Sequence, residues 1–506
     1  MKYYLGSDIG TSSCKTMIIN SNGDIISKSI EEYTPISPRI GWAEIDPEIW
    51  YQAFLKTCRA SFKCSGVSAR NISAIGLTGQ MVTLVCVDKY CKPVRPAILW
   101  YDNRGSEEAL YLKSELDIKI TEISQNPVNS TFTLPKLLWL QHHEPENFDS
   151  IYKILWACDY IRMRLTGTLI TDPTNASSSL MYDLKKGEWS KEIANFLKIP
   201  SRIFPEIRSS CDIAGQINSV ASAATGLESG TPVIVGSGDV GADNIAAGII
   251  SPGQGMIRFG TCATISVSLA TPVLDKNGNC PCSAHSVPGL YLLQGTSAAF
   301  GSSVRWFRNS FYRTLTLSKF PSAEDSDNSY DLMNKEAAEV PAGSNGLFFH
   351  TFNTAAPYWV PDIRGQFIGI NQDHRRGHFA RAVFEGTAYD LKEALVNLSS
   401  TGIKIPKEFI AVGRGALGHT WSKIVSDVLG CNLMLTSEAD ASFGAAMLAG
   451  VGLGDFKSFG DAVSKCVKYT SNIKMETDLL KFYEEQFVKF RKVHKNLMNI
   501  CKSLYA

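Results

Sequence analysis

"YYLGSDIGTSSCKTMIINSNGDII", Tyr3 to Ile26, is an apolar run that ends in an aspartate, a glycine and three small hydroxyl residues, then resumes as a second apolar run. Two strands around a turn fit this pattern. Asn22-Gly23 adds a strong hairpin signal between Met17–Asn20 and Ile25–Ser27. Gly10, Thr11, Ser12, Ser13 and Lys15 offer backbone N–H groups, hydroxyl donors and a cation in one short turn, and Asp8 offers a hard oxygen ligand. The turn lacks the Gly-x-x-x-x-Gly-Lys-Ser/Thr spacing, so it is not a Walker-type loop. It still has the parts needed to hold a phosphate and its metal.

The same design returns late in the chain. "MIRFGTCATISVSL", from Met256, has an apolar strand, a Gly-Thr, a small residue and a further apolar strand, with Gly260-Thr261-Cys262 standing where Gly10-Thr11-Ser12 stands. A repeat this distant points to duplication of a whole domain and not to a short-period solenoid. The junction is expected near Ile250-Ser251-Pro252-Gly253, giving domains 1–250 and 251–506. A chain of 506 residues suits two cores. Two similar domains facing each other would bring both turns to one cleft, where small-molecule sites tend to form.

Hydrophobic residues make up 44% and charged residues 20%, an ordinary soluble composition. With a net charge of +1, nothing global draws the chain to nucleic acid or an anionic membrane. Asp8 interrupts the first apolar run before signal-peptide length, and no stretch reaches the ~18 apolar residues of a membrane span. Thirteen cysteines, odd in number and irregular in spacing, read as reduced thiols in a cytoplasm. Cys280-Pro-Cys282 lacks the second pair a zinc site uses.

Strands alternate with helices, which indicates an α/β fold. Pro47 is placed to start a helix over Glu48–Lys63. Strands are expected at Ile72–Leu77, ending in Thr78-Gly79-Gln80, and at Thr83–Val87. The polar run Ser322–Tyr330 reads as a surface loop, and Thr477–Leu504 as an amphipathic helix. In "TPVIVGSGDVGADNIAAGII", strand Val233–Val235 leads through Gly236-Ser237-Gly238 to Asp239, at the start of a helix running to about Ile250. Asp239 has two compatible readings: a helix N-cap, or a ligand group at the carboxyl end of a strand, where α/β folds bind their substrates. Asp243 shares its helix face. In "EFIAVGRGALGHTWSKIVSDVLGCNLML", strand Phe409–Val412 meets Gly413-Arg414-Gly415-Ala416, whose glycines would let a flat ligand approach the backbone. "EADASFGAAMLAGVG", from Glu438, reads as a helix of small residues suited to close packing or to a wall beside a ligand.

Taken in order, these stretches resemble the FGGY carbohydrate kinases across nearly the full length. "DIGTSSCKT" and "RFGTCA" look like the family's two phosphate turns, and "GRGALGHTW" like its adenosine motif. "GLTGQM", "AILWYDNR" and "DYIRMRLTGTLITDPTNAS" look like the sugar-side motifs of xylulokinases, and "APYWVPDIRGQFIGI" and "RAVFEGTAYDL" like second-domain signatures. The resemblance implies an actin-like (ribonuclease H-like) ATPase fold of two domains, each a mixed sheet flanked by helices. It also implies ATP- and Mg²⁺-dependent phosphorylation of a sugar hydroxyl, with D-xylulose first among substrates and ribulose, glycerol or erythritol as alternatives. A catalytically silent sugar-binding protein on the same scaffold is the reading from another class. By resemblance Asp239 is the base, Asp8 attends the metal, and Thr11, Ser12, Ser13 and Lys15, with Gly10, Gly260 and Thr261, grip the phosphates. Gly413, Gly415 and Ala416 lie against the nucleoside, and Gln80, Met81, Trp100, Asp102 and Asp239 border the sugar. The partner implied is a small sugar, with no nucleic acid and no membrane; a homodimer is left open. The chain departs from the xylulokinase pattern where Gln80-Met81 continues as Val82-Thr83 instead of His-Gly, where Arg414 replaces a glycine, and where Cys262 replaces a serine.

Overall fold

A computed structural model describes residues 1–312, 323–351 and 364–505. The chain forms two compact units. The first takes Met1–Pro252 together with Ser268–Leu293 and Glu438–Lys468; the second takes Gly253–Val267, Gln294–Ser437 and Tyr469–Ala506. The chain first passes from one unit to the other at 252/253 and crosses again at 267/268, 293/294, 437/438 and 468/469.

The first unit is built on a mixed sheet in the order Ile213–Gln216, Pro232–Ile234, Ile72–Gly79, Tyr3–Ile9, Ser13–Asn20, Ile25–Glu32. Tyr3–Ile9 runs antiparallel to Ser13–Asn20 and parallel to Ile72–Gly79, which is parallel in turn to Pro232–Ile234. Helix Pro47–Ser65 covers one face, with Asp46 accepting the Glu48 N–H at its start and Pro47 in the first turn. Trp50, Phe54 and Cys58 pack from it against Leu5, Ile18 and Ile75. Helix Ala441–Gly452 covers the other face, and its small residues let backbone meet backbone. A Cβ on Gly6 would lie 1.9 Å from Ser442 O, one on Gly76 1.9 Å from Ala445 O, and one on Gly444 2.0 Å from Ala242 O. The close-packing reading of that helix is borne out.

The second unit repeats the pattern of strand directions. Ala263–Leu269 pairs antiparallel with Gly255–Phe259, which is parallel to Glu408–Val412; that strand is parallel to Asn432–Thr436, which pairs antiparallel with Tyr469–Ile473. The duplication read from two short motifs thus extends to whole-sheet topology. Helix Leu480–Tyr505 matches the amphipathic pattern expected at the end of the chain.

Some expectations need correction. Most of Ser322–Tyr330 is not loop: a helix begins at Ala323 and runs to Ala338. Polarity does not oppose a helix there, because acidic residues are favoured near a helix N-terminus. The strand expected over Thr83–Val87 spans Val85–Val87, and the helix after Gly238 ends at Ala246. Residues 356–363 of "APYWVPDIRGQFIGI" lie outside the described residues. All thirteen cysteines are unpaired, and among the described residues no helix is long and apolar enough to cross a membrane.

Candidate active site

The first phosphate-type turn closes the opening hairpin. Gly10 N–H donates to Ser13 O at 3.0 Å, and Gly10 O accepts from the Tyr33 hydroxyl at 2.7 Å and Gln80 Nε2 at 3.1 Å. The sheet register sets Asp8 opposite Lys15. Thr11, Ser12 and Ser13 remain at least partly exposed, and Thr11 Oγ1 accepts from Trp100 Nε1 at 2.9 Å. Trp100 is thereby brought to the turn itself. Lys15 Nζ pairs with Asp440 at 3.0 Å.

Asp8 is nearly buried, and its Oδ1 has no hydrogen-bond partner among the described residues. Burial, then the charge of Asp440, raises its carboxyl well above the usual range; Lys15 opposes this, while Asp239 and Asp243 add to it. Several carboxylates thus share one region of the first unit with an orphaned oxygen among them. A divalent cation fits that chemistry. Among the described residues no three His, Cys, Asp or Glu side chains form a cage.

Asp239 begins helix Asp239–Ala246 and is half-buried, with Val240 N–H donating to its Oδ1 at 3.0 Å. Gly238, not Asp239, is the N-cap residue. The corner before Asp239 is held by residues that sequence reasoning missed. Gly238 N–H donates to Thr174 Oγ1 at 2.7 Å, and the Thr174 hydroxyl donates to buried Asp172. Burial lifts the Asp172 carboxyl to about 6 against the pull of Thr174. Met81 lies on the same corner, since a Cβ on Gly238 would come within 2.4 Å of its Cγ. Asp172 and Thr174 sit inside a stretch already singled out, where Asp-Pro-Thr is a recognisable helix start.

Two expected sugar contacts are otherwise engaged. Gln80 is buried, with its amide nitrogen on Gly10 O and its amide oxygen accepting from Thr83 Oγ1 at 3.0 Å. Asp102 is fully buried: Oδ1 accepts from Arg104 N and Nε, each at 2.9 Å, and Oδ2 accepts from Arg104 and from Ala43 N–H. Both side chains brace the loops around the turn; Asp102 accepts two bonds on each oxygen, whereas Gln80 keeps a second amide N–H and a second lone pair. The local sequence shows their polarity but not how it is spent.

In the second unit the two glycine motifs emerge side by side. Gly255–Phe259 and Glu408–Val412 are parallel neighbours, with Arg258 opposite Val412, so Gly260-Thr261 and Gly413–Ala416 leave the same sheet edge. Gly260 N–H donates to Cys262 O at 3.1 Å, closing a turn one residue tighter than that of Gly10, whose N–H reaches Ser13 O. Gly260 O and Thr261 O accept from Gly301 N–H at 3.2 Å and Ser302 N–H at 3.1 Å, at the start of helix Phe300–Phe311. Gly413 has φ +95°, and a Cβ there would lie 2.6 Å from Phe259 O; one on Gly415 would lie 2.9 Å from the Trp421 ring. Ala416 is buried, whereas Arg414 is exposed to solvent.

Comparison with known proteins agrees with this geometry. A xylulose kinase of Lactococcus lactis subsp. lactis is 32% identical over 510 residues, covering 100% of this chain and 99% of that protein. A gluconokinase of Bacillus subtilis is 28% identical, covering 92% of this chain and 91% of its own. The crystal structure of xylulose kinase from Rhodospirillum rubrum superposes with a TM-score of 0.87 at 28% identity, covering 99% of this chain and 100% of that one. The models for the N-terminal and C-terminal domains of the FGGY family of carbohydrate kinases match residues 3–246 and 255–453, and with the repeated sheet, the paired glycine turns and the strand-end carboxylates in view, the chain belongs to that family and is a carbohydrate kinase.

Proposed function

We propose that this chain transfers the γ-phosphoryl group of ATP to a hydroxyl of a ketopentose, D-xylulose first. The observation that carries the reading is Asp239, half-buried at a strand end, cornered by Met81 and the Thr174–Asp172 pair, and close enough to Asp8 to raise its carboxyl. The xylulose kinases among the relatives set the order of substrates.

A sugar hydroxyl is too weak an acid to ionise unaided near neutral pH. Asp239 accepts its proton as the oxygen attacks, a contribution of typically 10²–10⁴ in rate. The N–H groups and hydroxyls of Gly10–Ser13 meet phosphate oxygens and stabilise charge as it develops. Asp8 would hold Mg²⁺, directly or through water, and the bound ion would neutralise phosphate charge. In the second unit, Gly260 and Thr261 are assigned to phosphate, and Gly413, Gly415 and Ala416 to the nucleoside. Gln80, Met81 and Trp100 are assigned to the sugar side with Asp239. Thirteen unpaired thiols support a reducing, cytoplasmic setting.

Val82-Thr83 in place of His-Gly, and a gluconokinase among the relatives, keep a second substrate in play. An ADP-release assay over D-xylulose, D-ribulose, glycerol, erythritol and D-gluconate tests the order. The highest kcat/KM is expected with D-xylulose. A higher value with any other member overturns that assignment, and thermal shifts without turnover would favour a silent sugar-binding protein.

A further inference from the structure

Lys136 lies in the first turn of helix Thr133–His143 and is wholly buried. Its ammonium donates to three backbone carbonyls: Thr131 O, Val82 O at 3.0 Å and Trp100 O at 3.3 Å. These carbonyls come from three separate loops. One carries Met81, one carries Trp100, and the third precedes the helix. The ionisable groups acting on Lys136 are Asp102 and Arg104, which are paired with each other. Burial pulls the ammonium down to about 7, with Asp102 supporting the charge and Arg104 opposing it.

One of the clamped residues is under strain. Val82 has φ +65°, a left-handed conformation that a β-branched residue rarely adopts. Both its backbone polar groups are held. Its N–H donates to Ser178 Oγ at 3.2 Å, and its carbonyl accepts from Lys136 and from Thr133 Oγ1 at 3.5 Å. The strain persists because the surroundings over-determine it. Met81, immediately before, lies beside Gly238, the residue before Asp239, where an added Cβ would come within 2.4 Å of its Cγ. Trp100, the other clamped residue, reaches Thr11 of the phosphate turn.

We propose that Lys136 is a positioning residue that sets sugar affinity by clamping the Met81–Val82 and Trp100 loops together against the strain at Val82. The inference rests on the reading that these loops border the sugar. Lys136 itself is too deeply buried to touch substrate.

The test is a double-mutant cycle of Lys136→Met and Val82→Gly, since glycine accepts the left-handed conformation without strain. Lys136→Met is expected to raise the KM for D-xylulose roughly tenfold or more, with kcat and the KM for ATP within about threefold of the parent. In the Val82→Gly background the same change should cost about threefold or less, because less strain remains to restrain. An equal effect in both backgrounds, or a loss shared by kcat and both KM values, would make the lysine a fold residue only. Amide exchange gives a readout independent of turnover. Lys136→Met should speed exchange at residues 80–83 and 100–102 while strand Tyr3–Ile9 is unchanged, and Val82→Gly should suppress that difference. If D-xylulose is not phosphorylated, the substrate assignment fails and the exchange result still decides the clamp. If Lys136→Met does not fold, the double variant must; its failure also overturns the proposal.

Discussion

Lys15 Nζ lies 3.0 Å from Asp440 Oδ2, although 425 residues separate them. The pair joins the hairpin of the phosphate turn to the N-cap of helix Ala441–Gly452, the helix packed on the glycines of the first sheet. Burial alone would lift the Asp440 carboxyl. Lys15, the Ser442 hydroxyl and Lys28 outweigh it and hold the group at about 2.

That pairing predicts an acid-sensitive contribution to stability. The folded value of Asp440 lies below its ordinary 3.8, so the unfolded chain binds the proton more tightly. The contribution is fully present above the unfolded value and is lost as pH falls towards 2. Asp440→Asn should lower stability by about 1–3 kcal/mol at pH 7, from the lost charge of the hydrogen bond to Lys15 and of the interaction with the helix dipole, since asparagine caps a helix as well as aspartate. Urea titrations across the acid range should show wild type and variant converging as pH falls. Coincident midpoints at neutral pH would deny the pair a structural role.

Asp8 has the opposite sign. Its folded value is raised, by burial first and then by Asp440, so its ionisation works against the fold as pH rises through that value. Asp8→Asn should therefore melt at or above the wild-type temperature at neutral and alkaline pH. Turnover should fall by roughly 10²-fold or more, because the carboxylate is there for the cation and phosphate charge. Melting curves and initial rates on the same preparations check both halves. A variant that melts lower with full activity would reverse the assignment.

What the sequence shows and what it hides divide along contact range. The Gly10 and Gly260 turns, helix Pro47–Ser65 and the small-residue helix are legible because strand alternation, caps and glycines act within a few residues. The repeated sheet is legible in outline from one motif met twice. Lys15–Asp440 is not, since no local pattern ties residues so far apart. Asp102 is opaque for a related reason: its polarity marks a functional neighbourhood, but no local pattern shows that its oxygens are spent on Ala43 and Arg104. Lys136 gives no signal at all in an apolar helical stretch, although three loops converge on it.

Asp239→Asn separates chemistry from binding. Val240 N–H can still meet the amide oxygen, so the corner set by Thr174 and Met81 should persist. If Asp239 takes the hydroxyl proton, kcat falls ~10²–10⁴-fold with sugar KM little changed. A coupled ADP assay with D-xylulose measures both constants. Near-normal kcat would remove Asp239 from the proton transfer.

Gly413 tests the second unit. Its φ of +95° and the 2.6 Å approach to Phe259 O leave no room for a Cβ. Gly413→Ala must shift the turn that leads to Gly415 and Ala416, at the edge where Gly260-Thr261 also emerges. The effect should fall on the nucleotide: ADP affinity, read by calorimetry, drops about tenfold or more as the backbone moves. The KM for the sugar should change far less, because Met81, Trp100 and Asp239 belong to the other unit. A variant that binds ADP as tightly as wild type would detach the Gly413–Ala416 turn from the nucleoside, whatever became of its stability.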